Sequence, residues 1–209
     1  MKEYSIIVPS NRESLKDETM NHLISIGESP IYKNGNGYPS FSKLINDCVI
    51  ECPTEIVVVC NDRARPKKED LIKLLNLIKE GYGFVGLYAW GFFGFKKELF
   101  RQIGFMDERF VGGNYEDCDY QRRMLEGNVA MYNVFEIEYN ENIQSNWDNS
   151  QTKRHYDSKW IDGDGYIERL ISEEIYNYDI GNKTNEKFLE WDKSILGISQ
   201  FFVDYKLKK

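Results

Sequence analysis

The run Glu55-Ile56-Val57-Val58-Val59-Cys60 narrows the choice of fold more than any other stretch of this chain. β-Branched side chains are stiff at χ1 and favour extended backbone, and a run without polar alternation marks a strand covered on both faces, as in a parallel sheet. The run stops at Asn61-Asp62-Arg63, and Pro66 stands where a helix begins. Leu71, Leu74, Leu75 and Ile78 then recur at helical spacing until Gly81. The chain opens in the same way, with Tyr4–Val8, a stop at Pro9-Ser10-Asn11, and a helix over 13–26. After a turn at Lys33–Gly37, Phe41, Leu44, Ile45, Cys48 and Val49 form an amphipathic helix capped by Ser40 and closed by Pro53. A further strand is expected over Phe84–Trp90, followed by Gly91–Gly94, a short helix over Lys96–Ile103, a helix ending near Gly127 and a strand over Val129–Tyr139. Strands alternating with helices predict an α/β domain whose central sheet is mostly parallel and flanked by helices. Ligands of such sheets sit at the carboxyl ends of the strands, so Pro9–Arg12, Asn61–Arg63 and Trp90–Gly91 are expected to share one site. Polar residues dominate from Asn140 to Asp164, a long loop, and helices are expected over Ile167–Tyr178 and Glu186–Leu207. The reading is a single domain, with a core over 1–165 and a helical extension over 166–209.

The net charge of −7 and pI near 5.1 argue against a general nucleic-acid binder, which needs a basic face. The short basic clusters Arg63–Lys68 and Lys153-Arg154 read either as phosphate contacts or as solvated surface. No apolar stretch reaches the ~20 residues of a membrane helix, and no signal-peptide pattern opens the chain. No membrane span and a cytoplasmic location are therefore expected. Fourteen tyrosines and four tryptophans either line a polar sugar site or fill a core. Cys48, Cys52, Cys60 and Cys118 form no zinc spacing and are expected to be buried free thiols.

The segment Gly104–Gly127 carries the densest chemistry. After the loop Val111-Gly112-Gly113-Asn114, Glu116, Asp117 and Asp119 crowd the start of a helix, where free N–H groups stabilise carboxylates. Such a group can hold a proton acceptor against a substrate. Asp119 and Arg123 are four apart and are expected to form a structural ion pair. Asp62, directly after the buried strand, has two readings: one oxygen ligand for a divalent cation on a diphosphate, or a cap for the following turn. No glycine-rich phosphate fingerprint occurs, which argues against dinucleotide-type or ATPase-type phosphate binding and makes a metal the expected substitute.

These residues carry a family resemblance. Val8-Pro9-Ser10-Asn11-Arg12, the VVVCNDRARP stretch with Asp62, and Gly104-Phe105-Met106-Asp107-Glu108-Arg109-Phe110 followed by Glu116-Asp117-Cys118-Asp119 and Arg123 resemble nucleotide-sugar glycosyltransferases of the GT-A fold, close to inverting family 2. The resemblance covers roughly Tyr4 to Trp160. It implies a GT-A, Rossmann-like fold and a hexosyltransferase that moves a sugar from a nucleoside diphosphate donor, UDP-linked, to a hydroxyl of a glycan or other acceptor. It implies Asp117 as general base with Glu116 beside it, and nucleotide contacts from Pro9, Ser10, Asn11, Arg12, Lys43, Asn46, Asn61 and Asp62. Trp90, Gly91, Asn114 and Tyr115 are the candidate donor and acceptor sugar contacts; Trp90 reads equally as a core residue. A Mn²⁺ or Mg²⁺ ion would be held by Asp62, with His155 as a second ligand or an ordinary surface residue. Relatives usually carry two or more acids where Asn61-Asp62-Arg63 has one, so Arg63 and Arg65 are candidates to replace part of the cation's charge. The compact size is similar to glycosyltransferase domains of large algal viruses, which can be the first module of a longer chain; the location would then be the host cytoplasm. Two rival readings stand: a GT-A-like domain that only binds carbohydrate or a partner, and a sugar nucleotidylyltransferase.

Overall fold

A computed structural model of the chain describes residues 2–138 together with Thr152 and Tyr156. These residues gather into two compact units. One holds the chain up to Tyr38, Asp47–Leu99 and the chain from Asn128; the other holds Pro39–Asn46, Phe100–Gly127, Thr152 and Tyr156. The expected helical extension over 166–209, the boundary at 165 and His155 lie outside the described residues. No helix among the described residues is long and apolar enough to cross a membrane.

The first unit is built on a six-stranded sheet in the order β2-β1-β3-β5-β4-β6. Its strands are β1 (Tyr4–Ser10), β2 (Ile31–Asn34), β3 (Ile56–Cys60), β4 (Phe84–Tyr88), β5 (Phe92–Lys96) and β6 (Met131–Asn133). The pairings β1–β2, β1–β3 and β4–β6 are parallel, and β5 runs antiparallel to both its neighbours. β3 is buried along its whole length, as its unbroken β-branched run requires. Helix α1 (Glu13–Ser25) packs on β1, and α3 (Lys68–Lys79) packs on β4 and β5. Ile6, Val8, Val58, Val85 and Leu87 meet Leu23 of α1 and Leu71, Leu74 and Ile78 of α3 in one core. The alternate residues Ile7, Val57, Val59, Phe93 and Phe95 are buried too. A Cβ at Gly94 would stand 2.7 Å from Leu74 Cδ2 and 3.2 Å from the Val57 carbonyl oxygen, so α3 reaches the sheet only over a glycine.

The sheet contains two strands that the sequence reading did not place. Lys33 and Asn34, expected in a turn, end β2, and Phe92–Gly94, beyond the expected strand, form most of β5. The β4–β5 hairpin turns through Ala89 at φ 42°, without the Asn-Gly or Asp-Gly pair that marks such turns. Helix α3 also starts two residues after Pro66, where the Lys67 N–H donates to Asp70 Oδ2 at 2.7 Å.

In the second unit, Ser40 caps α2 (Phe41–Glu51) as expected, its Oγ accepting the Lys43 N–H at 3.1 Å. Asn46 is fully buried and brackets the loop after α4 (Glu98–Ile103): its Nδ2 donates to the Met106 carbonyl and Glu108 Oε1, and its Oδ1 accepts the Met106 N–H. Helix α5 (Glu116–Glu126) buries Glu116, Asp119, Tyr120, Arg123 and Met124, a stripe at helical spacing. The expected ion pair forms, with Arg123 Nε 3.2 Å from Asp119 Oδ2 and both side chains almost fully buried. Arg123 also donates to the carbonyls of Ile103 and Phe105, and its guanidinium lies 4.7 Å from the Tyr120 ring centre. Those carbonyls close the end of α4, so one side chain ties two helices together.

Candidate functional site

In the first unit, sheet register brings the three expected loops to one edge. Parallel pairing of Ile7 with Val59 aligns the ends of β1 and β3, and Cys60 faces Phe92, the first residue of β5. The Asn61 N–H donates to the Gly91 carbonyl at 2.8 Å, which fastens the β3 exit to the Trp90-Gly91 turn. Trp90 itself packs against Phe84 and Phe93 at 4.8 and 4.9 Å between ring centres while remaining partly exposed. One part of the indole therefore belongs to an aromatic cluster, as the core reading expects.

Asp62 is 2% exposed, and both its oxygens are engaged. Ser10 Oγ donates to Oδ2 at 2.6 Å, Arg12 Nε to Oδ2 at 3.2 Å and Arg12 Nη2 to Oδ1 at 2.9 Å. The Arg12 side chain stays about one-third exposed (34%). Thr19 of α1 donates to the Asp62 carbonyl at 2.7 Å, fixing the loop from the other side. Arg65 donates to Thr19, Glu18 and the carbonyls of Asp62 and Ala64, which turns its charge toward α1. The capping alternative for Asp62 does not hold, because Asn61 makes the local turn instead, its Oδ1 accepting the Arg63 N–H. Pro9 and Ser10 are buried and Asn11 is exposed.

This arrangement does not fit the divalent cation expected at Asp62. The Arg12 guanidinium and the Ser10 hydroxyl already occupy both carboxylate oxygens, and the guanidinium repels a second cation there. No group of three His, Cys, Asp or Glu residues among the described residues could hold a metal ion.

In the second unit, the acids of α5 are aimed by a strained approach. Asn114 and Tyr115 both have positive φ, 75° and 67°, a conformation that costs about 1–2 kcal/mol for each residue with a Cβ. The loop is held at several points: Gly112 exchanges hydrogen bonds with Pro39 and Phe41, Thr152 Oγ1 donates to the Gly113 carbonyl, and the Tyr115 ring packs at a tilt against Tyr156, 5.5 Å between ring centres. Glu116 is consequently pressed inward, 6% exposed, with its Oε2 buried and unbonded among the described residues. Burial first, then the charge of Asp117, pushes its carboxyl up to about 8, against partial relief from the N–H groups of Glu116 and Asn114. Glu116 is thus a proton-bearing acid near neutral pH. Asp117 next to it is half-exposed and accepts the Cys118 N–H at 2.8 Å. Of the two adjacent carboxyl groups, Asp117 is the one that solvent reaches.

Both donors of the Asn46 amide are used inside the protein, so Asn46 positions the 106–108 loop. Lys43 lies close enough to Glu108 for their charges to interact. Cys118 is exposed, unlike the buried Cys48, Cys52 and Cys60. Helical periodicity carried that signal, since position 118 falls off the stripe through 116, 119, 120, 123 and 124.

The high carboxyl at Glu116 has a measurable consequence for stability. From its ordinary value of 4.5 to about 8 in the fold, rising pH ionises the unfolded chain first. Its contribution is therefore intact below about 4.5 and is lost progressively until about 8, by on the order of 4 kcal/mol. Chemical denaturation of Glu116→Gln at pH 5 and pH 8 is expected to show a flatter pH dependence than wild type. An unchanged slope would mean that the buried carboxyl is not the titrating group.

No protein-family model matches this chain, and no curated protein sequence does. Solved structures do. Drosophila β1,4-galactosyltransferase 7 in complex with manganese, UDP-Gal and xylobiose superposes with a TM-score of 0.52 at 12% identity, over 73% of this chain and 74% of that one. The catalytic domain of the same enzyme with xylobiose gives 0.53 at 14% identity, over 73% and 79%. Residues 1–349 of S. aureus TarS give 0.51 at 12% identity, over 89% and 77%. The likeness shows the fold: a mixed α/β sheet flanked by helices, of the GT-A glycosyltransferase kind.

Proposed function

We propose that this chain is a glycosyltransferase that moves a hexose from a UDP-linked donor to an acceptor hydroxyl with inversion at the anomeric carbon. The observation that carries the reading is the pair Glu116 and Asp117, a buried proton-bearing carboxyl beside a half-exposed one at the start of α5. Asp117 takes the proton of the acceptor hydroxyl as that oxygen bonds to the anomeric carbon. The bond from that carbon to the diphosphate oxygen breaks in the same displacement, and UDP departs with its electron pair. Inversion follows from a single displacement. Asn114, exposed, and Tyr115, half-buried, precede these acids and are assigned to the sugar. Pro9, Ser10, Asn11, Arg12, Asn61 and Asp62, at the ends of β1 and β3, are assigned to the nucleotide. Support for the donor and acceptor classes comes from β1,4-galactosyltransferase 7, solved with UDP-Gal and xylobiose.

The test is a thermal-shift panel of UDP, GDP, CMP and dTDP in buffer containing Mn²⁺. A ligand at about 100 times its Kd stabilises by roughly 2.7 kcal/mol, which raises Tm by about 5–10 °C in a domain of this size. A shift with UDP alone supports the reading. No shift with any nucleotide overturns it and favours a domain that binds only carbohydrate.

A further inference from the structure

We propose that Arg12, held by Asp62, carries the positive charge against the donor's diphosphate, and that nucleotide binding needs no divalent cation. The inference rests on the nucleotide reading above and deepens it. Asp62 is buried, and a buried carboxylate needs a compensating charge. The structure supplies that charge from Arg12 through two hydrogen bonds, with Ser10 Oγ filling a further place on Oδ2. Both oxygens of the Asp62 carboxylate therefore have partners without a metal. An incoming M²⁺ ion would have to displace both the guanidinium and the serine hydroxyl, then sit beside a cation it repels.

The guanidinium has five N–H donors, and two point at Asp62. The remaining three lie on a side chain that is one-third exposed, at the edge where β1 and β3 end. A planar fork of this kind matches phosphate oxygens, and an arginine pinned by a buried carboxylate loses little further freedom on binding. Arg65 is not the substitute cation, because its donors face Thr19, Glu18 and backbone carbonyls. Asp62 then acts through Arg12 as a positioning residue. This accounts for a single acid at Asn61-Asp62-Arg63: a group that only orients an arginine has no use for a second carboxylate.

The experiment is UDP titration by calorimetry in EDTA and in Mn²⁺, on wild type, Arg12→Lys, Arg12→Gln and Asp62→Asn. In parallel, the free Mn²⁺ electron paramagnetic resonance signal is recorded for protein with UDP and compared with UDP alone. The expected result is equal wild-type Kd in the two buffers and no extra Mn²⁺ uptake by the protein. Arg12→Gln weakens UDP by about tenfold or more in EDTA, the scale of a charge-assisted hydrogen bond, and Arg12→Lys by less. UDP binding seen only with Mn²⁺, together with one extra Mn²⁺ taken up per protein, overturns this proposal and leaves the nucleotide site standing. UDP binding in neither buffer overturns the functional reading and this inference with it. The wild-type comparison of EDTA with Mn²⁺ decides the matter even where a variant fails to fold.

Discussion

Replacing Asp117 with Asn is expected to lower the transfer rate by about two to four orders of magnitude, the usual contribution of a positioned general base. The substitution keeps the shape of the side chain and removes its ability to take a proton. UDP affinity should stay close to that of wild type, because the residue is assigned to the acceptor's proton and not to the nucleotide. The loss should therefore fall on kcat, with little change in donor KM. Glu116→Gln makes the informative contrast. Glu116 holds its proton at neutral pH, so a neutral amide resembles its working state and should be tolerated far better than Asn at 117. Initial-rate measurements on both variants check the assignment. Equal and severe losses at the two positions, or a harmless Asp117→Asn, would move the base elsewhere.

The second large effect is structural. Arg123→Ala is expected to destabilise the protein by about 3–5 kcal/mol, because it leaves Asp119 buried without its counter-charge. The same change removes the hydrogen bonds that Arg123 donates to the carbonyls of Ile103 and Phe105. At about 2–4 °C per kcal/mol for a chain of this length, Tm should fall by roughly 6–20 °C. Asp119→Asn should cost less, since Arg123 keeps its two carbonyl acceptors and the face of Tyr120. Differential scanning calorimetry of the two variants decides this. A Tm loss of a degree or two for Arg123→Ala would show that the buried pair is dispensable and that Tyr120 and Met124 suffice to hold α5.

Features carried by neighbours in sequence were legible before the fold was seen. The β-branched run of β3, the Ser40 cap, the i,i+4 pair Asp119–Arg123 and the clustering of acids at the start of α5 all depend on residues a few positions apart. β5 was missed because Phe92-Phe93-Gly94 has neither a two-residue alternation nor a marked hairpin turn. A pair of neighbouring strands makes it a strand, and that is a tertiary cause. The bracing role of Asn46 was not legible for a related reason. Its partners Met106 and Glu108 are 60 and 62 residues away.

The sequence by itself determined an α/β sheet whose strand ends carry the polar loops, and it named the acids on which the proposed chemistry rests. Tertiary structure alone decided what those acids are. Asp62 meets Ser10 and Arg12 across 52 and 50 residues, which makes its carboxylate the anchor of an arginine. Glu116 and Asp117 are neighbours of nearly the same chemistry, yet one is buried and proton-bearing while the other is half-exposed. Burial and long-range partners set the charge of a carboxyl group, and neither is a local property of the chain.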